Sequence, residues 1–591
     1  MKLGRASCEW SLFGGAAVFY AALATNTVQG GDSGELTAVA ASFGVAHPPG
    51  YPLFTLLGHA AAQIPAGTVA WRVALVSALA AAWTLFALAR GLRLAGLSLP
   101  ACAISVAAIA FSPTFVFQAG VAEVFTLHTA IAATLFWFAA SSSPTARIGL
   151  RAFLLGLTVG LGGANHHTIV LGFPLAVVAF LKLLAGRSRG RVVAITVAGI
   201  TAGLAPYLVL VITRDGTEWP RWGDTQTLDG LARHIFRSDY GTFSFGLLRG
   251  TESGWDHVAA HLARTVAALG PALLLLAVIG AIRSVRGGAG VPESGLGLAS
   301  LATWIFSGPL LHALFNNPVD AFGEEIAARF DLFPFVMVGA VAAIGLEVTL
   351  RFLASLPRFR AVRVALIAGL GLALALQAAQ SVPAAIPERH KLAESYGRDA
   401  LALLPPHALL FIDGDRDYSV LTYLQEAVRE RQDVRVIHVA LLGHSWYVNE
   451  IRRREPSLNV PFVPGRALSR EVMASAHTAG RRVFVTQGVA SQMSRADRLA
   501  PFGVVVEFLA PMVPTPRPDE LEVHLQAIAK RVVARPLQAF PPRAADADIP
   551  GLYASGYKQL RGAYTTVGDR AGVQRCDEAA SKLAGRFALT D

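Results

Sequence analysis

The sequence predicts a polytopic α-helical membrane protein with a soluble α/β domain towards its C-terminus. Three observations lead to this prediction. The mean hydropathy is +0.48 and only 15% of the residues are charged. About eleven apolar stretches approach the length that crosses a bilayer, and after residue 385 the apolar runs shrink to strand length. A soluble protein would expose this much apolar surface to water, whereas a membrane protein turns it towards lipid.

The predicted spans alternate with loops of different basic content. Cytoplasmic loops of membrane proteins are enriched in Lys and Arg. Alternate connections between the spans hold clusters of these residues, whereas residues 29–67, 118–121 and 164–167, on the opposite side, hold none. The sequence therefore predicts a cytoplasmic N-terminus, with Lys2 and Arg5 before an uncleaved signal anchor, and an extracytoplasmic C-terminal domain. The predicted spans are residues 11–28, 69–89, 98–118, 121–140, 149–164, 167–185, 192–213, 263–282, 298–316, 330–349 and 362–382.

The distribution of charge and cysteine excludes two other classes of protein. The net charge of +11 lies in short loops between spans, which argues for membrane topology and against nucleic-acid binding. Cys8, Cys102 and Cys576 are too scattered for a disulfide framework, and no metal-ligand spacing is evident. Three apolar segments depart from simple spans: residues 149–164 and 167–185 suit broken helices, and residues 51–65 suit a helix at the outer surface.

Beyond residue 385, short apolar runs alternate with helix-like segments. This pattern predicts an α/β domain with a mostly parallel sheet, followed by a proline-rich hinge and a helical tail. We therefore expect a membrane domain over residues 1–384, an extracytoplasmic α/β domain over 385–510 and a helical tail over 511–591. The predicted strands are residues 409–412, 434–442, 483–486 and 504–509, and the predicted helices of the α/β domain are 417–430 and 468–478.

The candidate reaction centre follows the first span, where Gly31-Asp32-Ser33-Gly34-Glu35 precedes a rigid turn that contains His47 and Tyr51. Carboxylates at a membrane surface are costly unless they are used. One interpretation is a capping box, in which an acidic residue and a Glu three positions later start a helix. The other is a general base that takes a proton from an acceptor hydroxyl. Asp32 is the first candidate for that base and Glu35 the second.

Further polar residues fall on the same predicted side of the membrane. Glu123 lies at the outer end of a span, and Asn165, His166 and His167 form a very short outer turn. Each could be solvated or could cap a helix, but the short loops also allow them to face one cavity with Asp32.

Basic and aromatic residues at the predicted outer surface could hold a phosphate and stack on a sugar. They could equally form an aromatic belt with snorkelling arginines. Arg329, at the start of a span, could neutralise a lipid-phosphate leaving group. The residues of the outer loop 214–262 in question are Trp222, Asp224, His234, Arg237 and Tyr240.

Several of these segments together resemble one family, the multi-spanning protein O-mannosyltransferase-like group. The resemblance also covers the soluble domain, through Asp413-Gly414-Asp415-x-Asp417, Tyr423-Leu424-Gln425 and Trp446-Tyr447. This chain departs from the family pattern at Arg416, where many bacterial relatives have Asn, and at His167, where Leu is usual. In the membrane domain the matching segments are Gly31 to Glu35, Ala46-His47-Pro48-Pro49-Gly50-Tyr51-Pro52-Leu53, Glu123 to His128, Gly163 to Thr168, Trp222-Gly223-Asp224, His234 to Gly241 and Arg329-Phe330 through Pro334.

The resemblance implies a GT-C type bundle with its active site at the outer surface of the bacterial inner membrane. It implies transfer of a sugar, mannose by analogy with the eukaryotic branch, from a polyprenyl-phosphate carrier to a Ser/Thr hydroxyl of a protein. It places the catalytic acid at Asp32 or Glu35 and makes Glu123, Asn165, His166 and Arg329 cavity residues.

Two other functions remain open at this stage. A transporter or lipid-linked sugar flippase would need ionisable residues inside the spans and paired halves, and the sequence has no internal repeat. A scaffold whose soluble domain binds glycans would leave Asp32 unused. The predicted partners are a polyprenyl-phosphate-linked donor, a protein or glycan acceptor and the lipid bilayer. The cofactor considered is a divalent cation, Mg²⁺ or Mn²⁺.

Overall fold

The computed structural model describes residues 3–141, 147–185, 188–212, 220–239, 241, 250–287, 294–494, 496–534 and 543–587. The chain forms two compact units. The first contains Met1–Asn26, Val45–Thr217 and Thr225–Pro387. The second contains Thr27–Gly44, Glu218–Asp224 and Glu388–Asp591. The segment that bears Asp32 and Glu35 thus belongs to the same unit as the C-terminal third of the chain.

The helices up to residue 385 are mostly long and apolar. In chain order they are α1 (Leu3–Leu23), α2 (Ser33–Ser42), α3 (Pro52–Ala62), α4 (Val69–Leu94), α5 (Leu99–Ala110), α6 (Pro113–Gly120), α7 (Phe125–Ala140), α8 (Ile148–Asn165), α9 (Phe173–Leu184), α10 (Arg189–Gly203), α11 (Val209–Ile212), α12 (Leu228–Ile235), α13 (Gly254–Leu269), α14 (Pro271–Arg286), α15 (Ser294–Ile305), α16 (Ala321–Phe330), α17 (Leu332–Ala354) and α18 (Arg360–Ala385).

Six helical stretches of the described chain are long and apolar enough to cross a bilayer, or eight if two bent pairs each count as one span. The bent pairs are α5 with α6, at 63°, and α13 with α14, at 110°. In α17, 89% of the apolar window is buried, against 6% in α18. Apolar side chains that point out of such a bundle face lipid, whereas those of α17 are buried by other helices. Helix α17 therefore lies in the interior of its unit. The molecule is a multi-pass membrane protein, and eleven spans stay a prediction.

Glycines allow close helix packing between α8 and α10 in the first unit. Gly156 and Gly160 of α8 face Gly199 and Gly203 of α10, and a β-carbon added at any of the four would collide with a backbone oxygen of the opposite helix. Small residues four positions apart allow two backbones to approach in this way, which is a common mode of helix association in membranes.

Two interruptions break the helical order of this unit. Helix α8 ends at Asn165, and a 3₁₀ turn over His167–Gly172 precedes α9, as expected for the broken helix predicted here. A π-helical turn, Phe306–Leu310, follows α15 and includes Pro309. Such π turns are rare and leave backbone groups without their usual intrahelical partners.

The C-terminal region carries a five-stranded sheet with the strand order β2-β1-β3-β5-β4. Strand β1 pairs in parallel with β2 and β3, whereas β5 pairs antiparallel with β3 and β4. The elements are α19 (Leu392–Ala402), β1 (Leu409–Ile412), α20 (Asp415–Thr422), β2 (Arg435–His438), α21 (Ser445–Arg454), α22 (Ser469–Thr478), β3 (Val483–Val485), α23 (Gln487–Ser491), β4 (Leu499–Phe502), β5 (Val505–Phe508), α24 (Pro518–Val533), α25 (Ile549–Val567) and α26 (Arg570–Phe587).

Strand β4 was not predicted. Its sequence, Leu499-Ala500-Pro501-Phe502, contains a proline, which usually argues against a strand. It lies at the edge of the sheet, where Pro501 faces no further strand, and Gly503 at φ +69° makes the tight turn to β5. The sheet is therefore mixed, with a parallel core of three strands and an antiparallel hairpin.

Candidate active site

Asp32 stands at the N-terminus of α2, but its carboxylate does not cap this helix. In the described part of the chain, the side chain of Asp32 makes no capping hydrogen bond. A capping box would require Asp32 to accept the backbone N–H of Glu35. That N–H instead donates to Oγ of Ser419, at 3.0 Å. The capping-box interpretation is therefore wrong.

The segment around Asp32 is held tightly within the second unit. The backbone N–H of Val28 donates to Oε2 of Glu394 at 3.1 Å. A β-carbon at Gly34 would lie 2.6 Å from the backbone oxygen of Ser419, and one at Gly30 would collide with Oδ1 of Asp546. Glu35 is only 4% exposed, whereas Asp32 is half-buried. Three separate stretches of the C-terminal region thus fix the backbone that presents the two acids.

In the first unit, Glu123 and Arg329 form an ion pair. Nη1 of Arg329 lies 3.5 Å from Oε1 of Glu123, and both side chains are largely buried. Ser77 fixes the backbone of Glu123, because its hydroxyl donates to the Glu123 carbonyl at 2.8 Å and accepts the Glu123 N–H at 3.1 Å. A guanidinium presents its N–H donors in a planar fork, which is the geometry that suits an anion such as phosphate.

Aromatic and imidazole rings surround this ion pair. His166 stacks on Tyr51, with ring centroids 5.9 Å apart, and packs against Phe330, the neighbour of Arg329, at 5.8 Å. The hydroxyl of Tyr51 lies 3.2 Å from Nε2 of His47. Asn165 donates through Nδ2 to the carbonyl of Val124, next to Glu123, at 3.1 Å. The structure therefore brings His47, Tyr51, Glu123, Asn165, His166 and Arg329 into one cluster.

Three further predicted residues, His167, His234 and Arg237, also belong to the first unit. Nε2 of His167 bonds to the hydroxyl of Tyr207 at 2.9 Å. The ring of His234 is buried against Gly50, of the predicted turn. Arg237 acts electrostatically on His166 and on His167.

Two of the residues predicted in the outer loop belong to the second unit. Trp222 belongs to the second unit, where its ring packs against Tyr418 and Trp446 at 5.4 and 5.8 Å. Asp224 also belongs to that unit and is exposed. Tyr240 lies outside the described residues.

Helix α20 begins directly after strand β1 with Asp415, Arg416 and Asp417. Asp417 is buried, and burial raises the pKa of its carboxyl to about 6, although the nearby guanidinium of Arg416 opposes this shift. Oδ1 of Asp417 lies 3.3 Å from Nε of Arg416, which also pairs with Asp548. Asp417 thus forms a structural ion pair, whereas Asp413 of the same motif lies in the loop between β1 and α20.

A buried group in the first unit escaped the sequence analysis. His261, His312 and Asp331 place their nitrogen and oxygen atoms within 4.8 Å of one another, and such a group could bind a metal ion. These residues lie on three separate elements and share no sequence motif. His128 and Thr168 were also missed as site residues; Oγ1 of Thr168 contacts His166 Nδ1 at 2.7 Å and His128 Nε2 at 3.3 Å.

Comparison with known proteins supports the resemblance drawn from the motifs. The family profile described as the N-terminal domain of protein O-mannosyl-transferase TMEM260 matches residues 32–185. The profile described as TMEM260-associated domain 2 matches residues 393–477. The first of these matches begins at Asp32, and the second covers β1, α20 and β2, which include Ser419.

Two curated relatives carry the same name. The chain is 28% identical over 482 residues to protein O-mannosyl-transferase TMEM260 of Mus musculus, which covers 76% of this chain and 65% of the relative. It is 25% identical over 485 residues to protein O-mannosyl-transferase tmem260 of Dictyostelium discoideum, which covers 76% of this chain and 59% of the relative. The chain thus spans about three fifths of the length of these relatives.

Solved structures share the fold. ArnT from Cupriavidus metallidurans bound to undecaprenyl phosphate superposes with a TM-score of 0.51 at 11% identity, covering 86% of this chain and all but 1% of ArnT. The apo state of the same protein gives a TM-score of 0.51 at 12% identity, with coverage of 86% and 100%. The resemblance to the protein O-mannosyltransferase-like family is confirmed, and the fold is that of a polytopic GT-C type membrane protein.

Proposed function

We propose that this chain is a GT-C glycosyltransferase that moves a sugar, mannose by analogy with the named relatives, from a polyprenyl-phosphate donor to a Ser/Thr hydroxyl of a protein. The fold shared with ArnT and the two TMEM260 family matches support this proposal. The reaction is assigned to the extracytoplasmic face of the bacterial inner membrane, with a cytoplasmic N-terminus. The observation that carries the proposal is the position of Asp32 at the start of α2, on a backbone segment that Ser419 holds through the N–H of Glu35.

Asp32 is assigned the role of general base, and Glu35 is the second candidate. Inverting transfer needs one carboxylate that takes the proton of the acceptor hydroxyl while the anomeric carbon gains positive charge. Asp32 is half-buried and stands at a helix N-terminus, where the helix dipole stabilises its anionic form. Glu35 is nearly fully buried, which leaves less room for an acceptor at its carboxylate.

Arg329 is assigned to the phosphate of the donor. The leaving polyprenyl phosphate gains negative charge in the transition state, and a preorganised cation stabilises that charge most where water is excluded. Glu123 holds the guanidinium of Arg329 in place. His47 and Arg237 are second candidates for the same phosphate, whereas Tyr51, Asn165 and His166 are assigned to the sugar or to the acceptor.

The remaining predicted residues have supporting roles in this proposal. His167, His234, Trp222, Asp224 and Tyr240 are retained as residues of the loops that receive donor and acceptor. Mg²⁺ or Mn²⁺ is the cofactor to be tested, because a divalent cation could bridge a carboxylate and the donor phosphate.

A lipid-linked sugar flippase is the alternative in another class. Flippases and transporters carry their ionisable groups near the middle of the spans and move substrate across the bilayer. Here candidate residues of the first unit lie at the ends of α8 and α16, which favours chemistry at one surface.

The proposal is tested with the full-length protein purified in detergent. It is incubated with radiolabelled polyprenyl-phosphate mannose and a pool of extracytoplasmic proteins, with and without EDTA. We expect label on protein, released as free mannose by β-elimination. Loss of label with EDTA, restored by Mg²⁺ or Mn²⁺, would establish the cofactor. No protein labelling, together with translocation of the lipid-linked sugar across liposomes, would assign the flippase function instead.

A further inference from the structure

We infer that His261, His312 and Asp331 form a zinc-binding site in the first unit, separate from the residues assigned to sugar transfer. The three side chains come from α13, from the segment after the π-helical turn and from the residue that precedes α17. All three residues are fully buried. Two imidazoles and one carboxylate are a donor set that Zn²⁺ binds readily.

The ligand atoms converge on one oxygen. Nδ1 of His261 lies 2.7 Å from Oδ1 of Asp331, and Nε2 of His312 lies 2.8 Å from the same oxygen. The two imidazole rings are nearly parallel, with centroids 4.4 Å apart. All three ligand atoms lie within 4.8 Å of one another, so modest outward shifts would place each at about 2.0–2.2 Å from a common Zn²⁺ ion.

A purely hydrogen-bonded network does not satisfy this group. Nε2 of His312 makes no hydrogen bond of acceptable geometry within the described chain, despite its distance of 2.8 Å from Asp331 Oδ1. Nε2 of His261 also has no hydrogen-bond partner among the described residues. Buried imidazole nitrogens without partners are costly, and a metal ion between the three residues would satisfy His312 directly.

The imidazole of His261 can accommodate the metal without losing a proton. Its Nδ1 bonds to Asp331, and its Nε2 has no partner in the part of the chain that the structure describes. Moving the proton from Nδ1 to Nε2 frees the Nδ1 lone pair for the ion. The imidazole stays neutral, and the bond to zinc replaces the hydrogen bond between Nδ1 and Asp331.

The surroundings of Asp331 resemble the outer shell of a metal site. Its second oxygen accepts a hydrogen bond from Nε of Arg264 at 2.6 Å, and Arg264 also pairs with Glu324. Ligating carboxylates are usually held by such outer contacts. Two carboxylates share a single guanidinium here, so the group carries a formal charge of about −1 that a divalent cation would more than offset. A metal ion on Nε2 of His312 would leave the proton on its Nδ1, and this opposes the long contact, 3.5 Å, between Arg264 Nη2 and His312 Nδ1.

The chemistry favours zinc over the cations considered for the transfer reaction. Mg²⁺ prefers oxygen ligands and retains water, whereas imidazole nitrogen suits Zn²⁺. Three protein ligands from three elements leave the fourth tetrahedral position to a water molecule. Such an ion would fix the junction of α16 and α17, two residues beyond Arg329, without contacting the substrate.

The test measures zinc in the full-length protein, purified without chelators or metal-affinity tags from cells supplied with zinc. We expect about one Zn²⁺ per chain by inductively coupled plasma mass spectrometry. Replacement by Co²⁺ should give the visible absorption bands of a nitrogen- and oxygen-bound ion. His312→Ala and Asp331→Asn should lose the ion. The matched control is His257→Ala, one turn earlier on α13 and also buried, which should keep it.

The wild-type measurements do not depend on the folding of any variant. Wild-type protein that contains no zinc, and that takes up neither Zn²⁺ nor Co²⁺ after dialysis against either ion, would overturn the inference. Equal loss of zinc from His257→Ala and His312→Ala would also overturn it, because the ion would then lie elsewhere. Neither result bears on sugar transfer, which is assayed separately.

Discussion

The backbone N–H of Glu35 donates a hydrogen bond to Oγ of Ser419, 3.0 Å away in space and 384 positions away in sequence. Both residues are buried in the second unit. This bond takes the amide that a capping box would have used, and it ties the segment with the two candidate acids to α20. The C-terminal region therefore contributes directly to the geometry of Asp32, in addition to any role in acceptor binding.

Removing the hydroxyl of Ser419 should loosen the start of α2. In Ser419→Ala the buried N–H of Glu35 loses its acceptor, at a cost of about 1–3 kcal/mol. We expect faster hydrogen exchange at the amides of residues 33–36 and a lower turnover of sugar transfer, with little change in the KM for the donor. Ser419→Thr keeps the hydroxyl and should restore both. Unchanged exchange in Ser419→Ala would show that the bond does not position this segment.

The close approach of Gly34 to α20 gives a steric prediction. A β-carbon at Gly34 would lie 2.6 Å from the carbonyl oxygen of Ser419, a backbone atom that cannot move alone. Gly34→Ala should therefore lower both the thermal unfolding temperature and the transfer activity. Gly562→Ala is the matched control, because its β-carbon would meet nothing within 4 Å and alanine favours the helix by up to about 1 kcal/mol. Equal effects of the two substitutions would refute the steric argument.

Arg329 should act mainly on the chemical step. If its guanidinium stabilises the departing phosphate, Arg329→Ala should lower kcat by roughly 10²–10³-fold. Arg329→Lys keeps the charge but not the planar donor geometry, and should fall between alanine and wild type. Steady-state kinetics with the polyprenyl-phosphate donor measures both effects. Arg358→Ala, at an exposed position of the same unit, is the control. A rise in KM alone would limit Arg329 to ground-state binding.

The buried Asp417 predicts a pH dependence of stability. Burial raises the pKa of its carboxyl from 3.8 to about 6 in the folded protein, so the folded state binds this proton more tightly than the unfolded chain does. Lowering the pH from about 7.5 to about 5 should therefore increase the free energy of unfolding through this group. In Asp417→Asn the contribution disappears. We expect the variant to gain on wild type in thermal stability as the pH rises through 6.

The comparison that measures this effect is the difference in unfolding temperature between Asp417→Asn and wild type at several pH values. A difference that stays constant across the range would mean that Asp417 remains ionised throughout, held by Arg416.

Apolar periodicity and basic loops were sufficient to predict much of the fold. The break at Asn165 and His166 was visible because two short apolar stretches flank three polar residues. The 110° bend between α13 and α14 was missed, although Gly270 at φ +78° and Pro271 mark it in the sequence. The π turn at Phe306–Leu310, which contains Pro309, was missed as well. Strand β4 was missed because its proline argued against a strand, and only its edge position makes the proline acceptable.

The candidate site could also be predicted only in part from the sequence. Motif residues such as Glu123, His166 and Arg329 are close together because short turns bring helix ends into contact. The role of Ser419 could not be foreseen, since its partner Glu35 lies 384 positions away. His261, His312 and Asp331 carry no shared spacing, and single histidines in apolar helices gave no reason to select them.

The central claim is that Asp32 is the base of a sugar transfer reaction. Its most direct test measures transfer from radiolabelled polyprenyl-phosphate mannose to protein by purified wild type, Asp32→Asn and Glu35→Gln, each checked for folding by thermal unfolding. We predict that Asp32→Asn lowers the rate by about 10²–10⁴-fold, while Glu35→Gln retains most of the activity. Wild-type activity in a folded Asp32→Asn, or a loss confined to Glu35→Gln, would contradict the account.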